Sequence, residues 1–391
     1  MSKKKRLIGL LYIAVLCSQG LCAQTRQMSI EELFRLADEQ SKSIQTYRTG
    51  AESAEEALKA AKAQRLPDVN VSLSANYWGN GKLWDRDFGN AMTVDMPHFG
   101  NNFALEAQQV IYAGGAISSG IKQAEIGKAL AELDLQKNVQ EIRFLLVGHY
   151  LNVYKLDNQI RVVQKNMELI EEVIANMKAR REQGTVLKND ITRYELQKEQ
   201  LNLQLSRVED ARKIANHQLV TALHLPEGTE ISPDTYLLER QILTLTEDDW
   251  QDMAETNNIL LKQTQAAIQM NEQKVKQERS ERLPHISIVA AEHLDGPITI
   301  EVPVLDNNFN YWYIGIGVKY NLSSLFKNNK KLKQARLNVR QAQELHQLAQ
   351  EQVENAVQEG YVNFLTAFTD LRTQKTVSYT HLRAHETRSN L

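Results

Sequence analysis

His217 and His224 lie seven residues apart on a predicted helix and so share a face, and His381 stands four residues before His385-Glu386. Both spacings imitate zinc ligation, which needs several donors converging on one point. The first pair is expected to pack or to meet water. The second lies in a C-terminal stretch read below as foreign, so no metal is expected. Paired acids, the residue types of general acid–base chemistry, occur at Asp248-Asp249 and Glu171-Glu172. One pair falls in the first turn of a helix and the other on a solvated helix face. No Gly-rich phosphate loop and no nucleophile with a matching base is present. The sequence predicts neither an enzyme nor a cofactor.

Function must then come from architecture. Seven prolines and eighteen glycines are few for 391 residues, and 24% of the residues are charged, which points to long uninterrupted helices. Lys3 to Arg6 are basic, Leu7 to Leu16 form a short apolar core, and Cys22-Ala23 precedes Gln24 as a cleavage point, so residues 1–23 read as a secretory signal peptide. A lipoprotein reading through Cys22 is the weaker one, because Leu21 stands where a small residue belongs. Cys17 and Cys22 are the only cysteines, so the exported chain is expected to lack disulfides. Losing four positive charges takes the net charge from −2 to −6, a poor balance for binding nucleic acid. No later segment has eighteen consecutive apolar residues, which excludes a helical membrane span but not a transmembrane β-barrel.

The chain is written twice. At an offset of 217 residues Arg65-Leu66-Pro67 falls on Arg282-Leu283-Pro284, Leu36-Ala37 on Met253-Ala254, and Ser29-Ile30-Glu31-Glu32 on Thr246-Glu247-Asp248-Asp249. Ser29 and Thr246 are each expected to cap a helix whose first turn is acidic. Beyond the strands the offset becomes 211, and Lys122-Gln123-Ala124 falls on Lys333-Gln334-Ala335, Tyr150 on Tyr361 and Asn152 on Asn363. The six-residue difference lies between the paired strands, where the first copy has the longer loop. A duplication of helix, strand pair and long helix organises the chain. Its expected extent is 24–226 for the first repeat and 227–376 for the second.

Strand rows alternate. Val69, Val71, Leu73, Ala75 and Tyr77 face one way, with Asn70, Ser72, Ser74 and Asn76 opposite. Phe103, Leu105, Ala107 and Ile111 form another row, interrupted by Gln109. Ile286, Ile288 and Ala290 form a short one. Trp312, Ile314, Ile316, Val318 and Tyr320 form the last, with Gly315 and Gly317 between them. Ten residues reach roughly 33 Å, enough to cross a hydrocarbon layer when tilted. Aromatics gather at the strand ends, Tyr77, Trp78, Phe103, Tyr311 and Trp312 at one and Tyr112 and Tyr320 at the other, as in the interfacial girdles of an outer-membrane barrel. A half-buried sheet in a soluble domain would also alternate.

Helical seams narrow the choice. From Leu135, the positions Val139, Ile142, Leu146, His149, Val153, Leu156, Ile160, Val163, Met167, Ile170, Ile174 and Met177 step by three and four, and only His149 breaks the apolar series. A helix from about Ala116 to Gln183 would be about 100 Å long. His149 is expected as a satisfied polar residue at a helix interface. A second seam, Leu187, Ile191, Tyr194, Leu201, Leu205, Val208, Ala215 and Leu219, ends near Leu225-Pro226. Arg181 to Thr185 make the hairpin turn, with Gly184 as the C-cap. The shorter helices, about Lys42 to Arg65 and Leu187 to Leu225, together nearly match the long one, so they could stack end to end beside it. Pro67 and Pro284 then mark helix-to-barrel junctions, because proline lacks an N–H and disfavours helix in the residue before it.

With these features the chain resembles an outer-membrane efflux protein of the TolC family. The resemblance rests on the export signal, the duplicated plan, the Ala-x-x-x-Arg-Leu-Pro phrase at Ala61 to Pro67 and the Arg-x-x-Gly turn at Arg181 to Gly184, and covers about Gln24 to Lys375. It implies a mainly α fold with a β-barrel part: a coiled-coil helical barrel plus four transmembrane strands per protomer, closed by a homotrimer into twelve strands. It implies a passive exit channel in the outer membrane, in contact with lipid, whose periplasmic tunnel docks on an adaptor and an inner-membrane pump of the RND or ABC type. By the same resemblance Asp190 is a candidate tip gate, and Gln183, Gly184, Thr185, Val186 and Leu187 a candidate adaptor-docking tip. An ordinary helix-dipole role for Asp190 fits the sequence as well.

Two other readings fit the sequence, a periplasmic adaptor and an exported coiled-coil scaffold. An adaptor should carry small β-domains in place of a second helix plan, and a scaffold should extract without detergent. The second copy also stops early. By the 211 offset its hairpin turn would fall at 395, past Leu391, and from Val377 the apolar period is lost. Residues 377–391 are therefore expected to be a non-native tail.

Overall fold

The computed structural model describes residues 25–234, 245–300 and 304–389, the side chains of its last helix through Val377. The expected signal peptide with Cys17 and Cys22, and the side chains of His381, His385 and Glu386, lie outside the described residues. The chain forms two compact units, one from residues up to Thr49 with Asp134–Thr244, the other from Gly50–Leu133 with the residues from Leu245 onward. Neither unit coincides with a sequence repeat, since the first repeat contributes to both.

The first unit is built on a short parallel strand pair that sequence reading missed, β1 (Thr25–Met28) against β6 (Glu230–Pro233). Ser29 caps α1 (Ile30–Gln40) by accepting the Glu32 N–H at 3.2 Å, with Glu31 and Glu32 in the first turn as anticipated. The chain then breaks at Ser41 and resumes as α2 (Lys42–Ala63). Leu33, Leu36 and Ala37 of α1 pack on Leu146, Val153 and Leu156 of α3 (Ala116–Glu182) and on Ala215, Leu219 and Leu223 at the end of α4 (Lys188–Ala222). His149 is not the seam residue here. It is half-buried, while its neighbour Tyr150 is 2% exposed and fills the position. The Tyr150 hydroxyl donates to Met28 O at 2.7 Å and accepts the Asp234 N–H at 2.7 Å, tying α3 to the chain around both strands. A three-or-four step admits either residue, and the larger amphipathic ring with two backbone partners takes the buried one.

The α3–α4 hairpin closes as the sequence indicates. Gly184 sits at φ +78, its N–H bonded to Arg181 O at 2.9 Å and the Thr185 N–H to Arg180 O at 3.1 Å, which is the Schellman pattern. Gly184→Ala should lower hairpin stability by about 1–2 kcal/mol, because an L side chain strains the left-handed conformation. Denaturant midpoints of the two proteins check this; equal midpoints would mean that the turn relaxes freely.

The second unit shows the duplication in three dimensions. The first copy runs α2, β2 (Asp68–Tyr77), β5 (Phe99–Tyr112) and the start of α3. The second runs α5 (Glu247–Asn257), α6 (Ile259–Ser280), β7 (His285–Gly296), β8 (Phe309–Lys319) and α7 (Ser324–Ser389). Thr246 caps α5 in a reciprocal capping box with Asp249. The break between α5 and α6 falls at Asn258, the 217-offset equivalent of Ser41, with nearly the same backbone angles, φ −61 and ψ 127 against φ −61 and ψ 121.

Both helix-to-strand junctions are built alike. After α2 the Arg65 and Leu66 N–H groups bond to Lys62 O and Ala63 O, at 3.2 and 2.8 Å, and Pro67 follows. After α6 the Arg282 and Leu283 N–H groups bond to Arg279 O and Ser280 O, at 3.1 and 2.9 Å, and Pro284 follows. One tight turn ends each helix, and the proline admits no further helical hydrogen bond. Gly114, at φ +60 just past β5, lies against the second turn. A Cβ there would come within 2.8 Å of Ser280 O. α6 and α7 pack through Leu261 against Ala349 and Val353 and through Val275 against Leu332 and Ala335, and α7 buries alanines at steps of seven, Ala335, Ala342 and Ala349.

Candidate channel wall and helical tip

The two strand pairs join edge to edge in one antiparallel sheet of order β2-β5-β7-β8. A short hairpin, β3 (Gly81–Leu83) with β4 (Met92–Val94), fills the longer loop of the first copy. Register aligns Val71 with Leu105, Leu105 with Glu292, and Glu292 with Trp312; one step away Leu73, Phe103 and Leu294 align. One face therefore carries Val69, Val71, Leu73, Leu105, Ile288, Ile314, Ile316 and Val318. It is open to the surroundings: Leu73 is 78% exposed, Ile316 75% and Trp312 73%. Among the described residues nothing is packed over it, and an apolar face this wide is not left bare in water.

β7 is longer than the short row expected from sequence. It runs past Ala290 to Gly296 and places Glu292 on the apolar face between Leu105 and Trp312, where its carboxylate accepts the Asn310 amide at 3.3 Å. The interruption at Gln109 also has a reason. Its amide donates to Arg65 O at 3.0 Å, capping the junction turn, and Ile111 then bulges out of register.

The opposite face is polar. Asn70, Ser72 and Ser74 line β2, Asn102, Glu106 and Gln108 line β5, and His293 and Asp295 line β7. The Asn102 amide donates to Asp295, the Tyr311 hydroxyl donates to Asp295 at 3.4 Å, and Gln108 donates to Ser287 at 3.2 Å. Tyr311 thus belongs to the polar face, not with Trp312 on the apolar one. Trp78 also turns there, its indole covering Gly100, where any Cβ would collide at 2.1 Å. Of the expected girdle residues, Tyr77, Phe103 and Trp312 share the apolar face at the loop end. Tyr112 pairs with Ile286 at the junction end, and Tyr320 follows β8 there. Pro67 and Pro284 precede β2 and β7. His293, Asp295, Glu106 and Tyr313 lie outside the rows expected from sequence, and continuing the alternation of β7 past Ala290 reaches the first two.

The helical tip belongs to the first unit. Ile170, Ile174 and Ile191 are buried together with Met177, Val186 and Tyr194 around them. Val186, not Leu187, enters the seam, and Leu187 is 73% exposed. Gln183, Gly184 and Thr185 are exposed in the turn, and Asp190 is exposed in the first turn of α4, its N–H bonded to Leu187 O at 3.2 Å. Ion pairs Lys178–Glu195 at 3.1 Å and Lys198–Glu171 at 2.7 Å cross the hairpin. Both are solvent-screened and add little to stability. Among the described residues no group of His, Cys, Asp and Glu forms a metal site, and no helix is long and apolar enough to cross a membrane.

No curated protein is a significant sequence match to the chain. In fold it is similar to CusC, at TM-score 0.72 and 14% identity over 91% of this chain and 79% of that one. It is also similar to the outer membrane protein VceC of Vibrio cholerae, at TM-score 0.64 and 14% identity over 83% and 75% of the two chains. The MtrE outer membrane channel of Neisseria gonorrhoeae gives TM-score 0.61 and 14% identity over 85% and 70%. The profile of a family described as outer membrane efflux protein matches residues 33–224, from within α1 to just past the end of α4. That family consists of transport channels, not enzymes. Over that segment, just under half of its length, the chain is similar to the outer membrane efflux protein family.

Proposed function

We propose that the chain is a passive outer-membrane exit channel. Three copies would join their four-stranded sheets into one twelve-stranded barrel and their helices into a periplasmic tunnel. The observation that carries this reading is the sheet itself, apolar on one face, polar on the other and, among the described residues, uncovered on the apolar face and unpaired at both edges, β2 and β8. An open sheet cannot stand in lipid, because its edge N–H and C=O groups have no partner there. Pairing β8 of one copy with β2 of the next removes both edges and leaves the apolar face to lipid and the polar face to the lumen. The tunnel tip would meet a periplasmic adaptor and, through it, an inner-membrane pump of the RND or ABC type, which supplies the energy. CusC is described by its transmembrane channel formation and MtrE by an open state, and the same two themes are proposed here.

Efflux tests the reading. Deleting the gene should sensitise cells to exported compounds, and the intact chain should restore resistance; a deletion strain indistinguishable from its parent over a broad compound panel would count against an efflux role. At the tip, Asp190 is proposed to help hold the closed state. Asp190→Ala should raise single-channel conductance several-fold with unchanged trimer yield. Unaltered conductance in a folded trimer would leave Asp190 a helix-dipole residue.

A further inference from the structure

The polar face of the sheet carries a stack of rings that the channel reading does not use. Phe309, Tyr311 and Tyr313 succeed one another on β8, and His293 of β7 leans between the tyrosines. The His293 ring is 5.0 Å from Tyr311 and 6.1 Å from Tyr313, with interplanar angles of 14° and 11°, and Phe309 lies 5.3 Å from Tyr311. Beneath the stack Ala104 and Ala291 are almost fully covered, 4% and 5% exposed. At the Tyr313 end the stack stops abruptly, because the next two positions on that face are Gly315 and Gly317. A Cβ on Gly315 would meet nothing within 4 Å. Packing therefore does not require glycine there, and the floor beside the Tyr313 ring, made by Gly315 and its partner Val289, is bare. Glu106 stands one row before the floor, across Ala291 from Tyr313, its carboxylate 4.0 Å from His293 Nε2, and Gln108, which pairs with Val289, shares the floor's own row.

We propose that this floor is a binding site for planar aromatic cations in transit, which stack on the free face of Tyr313 over Gly315 with their charge beside Glu106. The proposal rests on the channel reading, under which this face lines the lumen. Rings 5–6 Å apart leave no room for intercalation within the stack, so the ligand adds as its next member. A tyrosine face attracts a cation through its ring quadrupole, and a nearby carboxylate adds a charge term that a neutral or anionic ring would not gain. In the closed barrel the neighbouring β2 brings Asn70, Ser72 and Ser74 to this side, polar residues short enough to leave the floor open.

Ethidium, whose charge does not change with pH, is the probe. Fluorescence titration of the detergent-purified full chain should show saturable binding. Gly315→Val, which adds a side chain into empty space and suits a strand, should weaken it about tenfold, and Tyr313→Leu by as much. Glu106→Gln should weaken it several-fold, and an anionic planar dye should not compete. Equal ethidium affinity in the wild type, Gly315→Val and Tyr313→Leu, or no saturable binding at all, would overturn the proposal. Conductance of the same preparations in planar bilayers separates the two readings. A conducting chain without the binding pattern loses this site and keeps the channel, whereas a non-conducting chain with the pattern keeps the site and loses the channel.

Discussion

Replacing Tyr150 by alanine is expected to destabilise the first unit by about 3–5 kcal/mol, the usual cost of deleting a buried aromatic side chain. The ring lies at the centre of the cluster formed by α1, α3, α4 and both short strands, so little of the cavity can collapse. Tyr150→Phe isolates the hydroxyl. It removes a donor to Met28 O and an acceptor for the Asp234 N–H, which should cost about 1–3 kcal/mol. The lower end is expected, because the Asp234 N–H also reaches Met28 O at 3.2 Å. Burial pushes the Tyr150 phenol above its ordinary value of 10.0. Its contribution is therefore complete below that value and is lost as the pH rises through the raised one. His149→Ala, one residue away, should change stability by no more than about 0.5 kcal/mol. Urea midpoints rank the three proteins; a Tyr150→Ala protein as stable as His149→Ala would show that the cluster is not organised around this ring.

Leu73→Arg and Ser72→Arg differ by one residue along β2 and by the whole thickness of the sheet. In the proposed barrel Leu73 faces lipid, and an arginine there costs about 2–4 kcal/mol near the midplane. Ser72 faces the lumen, where an arginine remains hydrated. The yield of heat-resistant trimer in the outer membrane should fall steeply for Leu73→Arg and little for Ser72→Arg. Equal losses would mean that the two faces are not distinguished by lipid, whatever their composition.

Much of this fold is legible in the residues. Strict alternation from Val69 to Tyr77 gives β2 to within one residue, since a one-residue slip would carry every apolar side chain to the other face. The repeated Arg-Leu-Pro marks both junctions, because the same turn and the same missing N–H end both helices. Other features left a weaker trace. β1 and β6 are four residues each, too short for a periodic signal. The breaks at Ser41 and Asn258 carry neither proline nor glycine and emerge only when the two copies are compared. His149 and Tyr150 both satisfy a three-four step, and only the backbone partners around the Tyr150 hydroxyl decide between them. The ring stack on the polar face was hidden because Tyr311 and Trp312 are adjacent in sequence, and aromatic clustering alone does not say which side of a strand each ring takes.

In the proposed channel, copies of this chain form a continuous water-filled path across a lipid layer. Single-channel recording of the purified full-length protein in planar bilayers tests it most directly. Trimers are expected to give discrete, stable ion-conducting steps, larger in Asp190→Ala and absent when Leu73→Arg prevents assembly. Folded, membrane-inserted trimers that pass no ions, in the wild type and in Asp190→Ala alike, would contradict it.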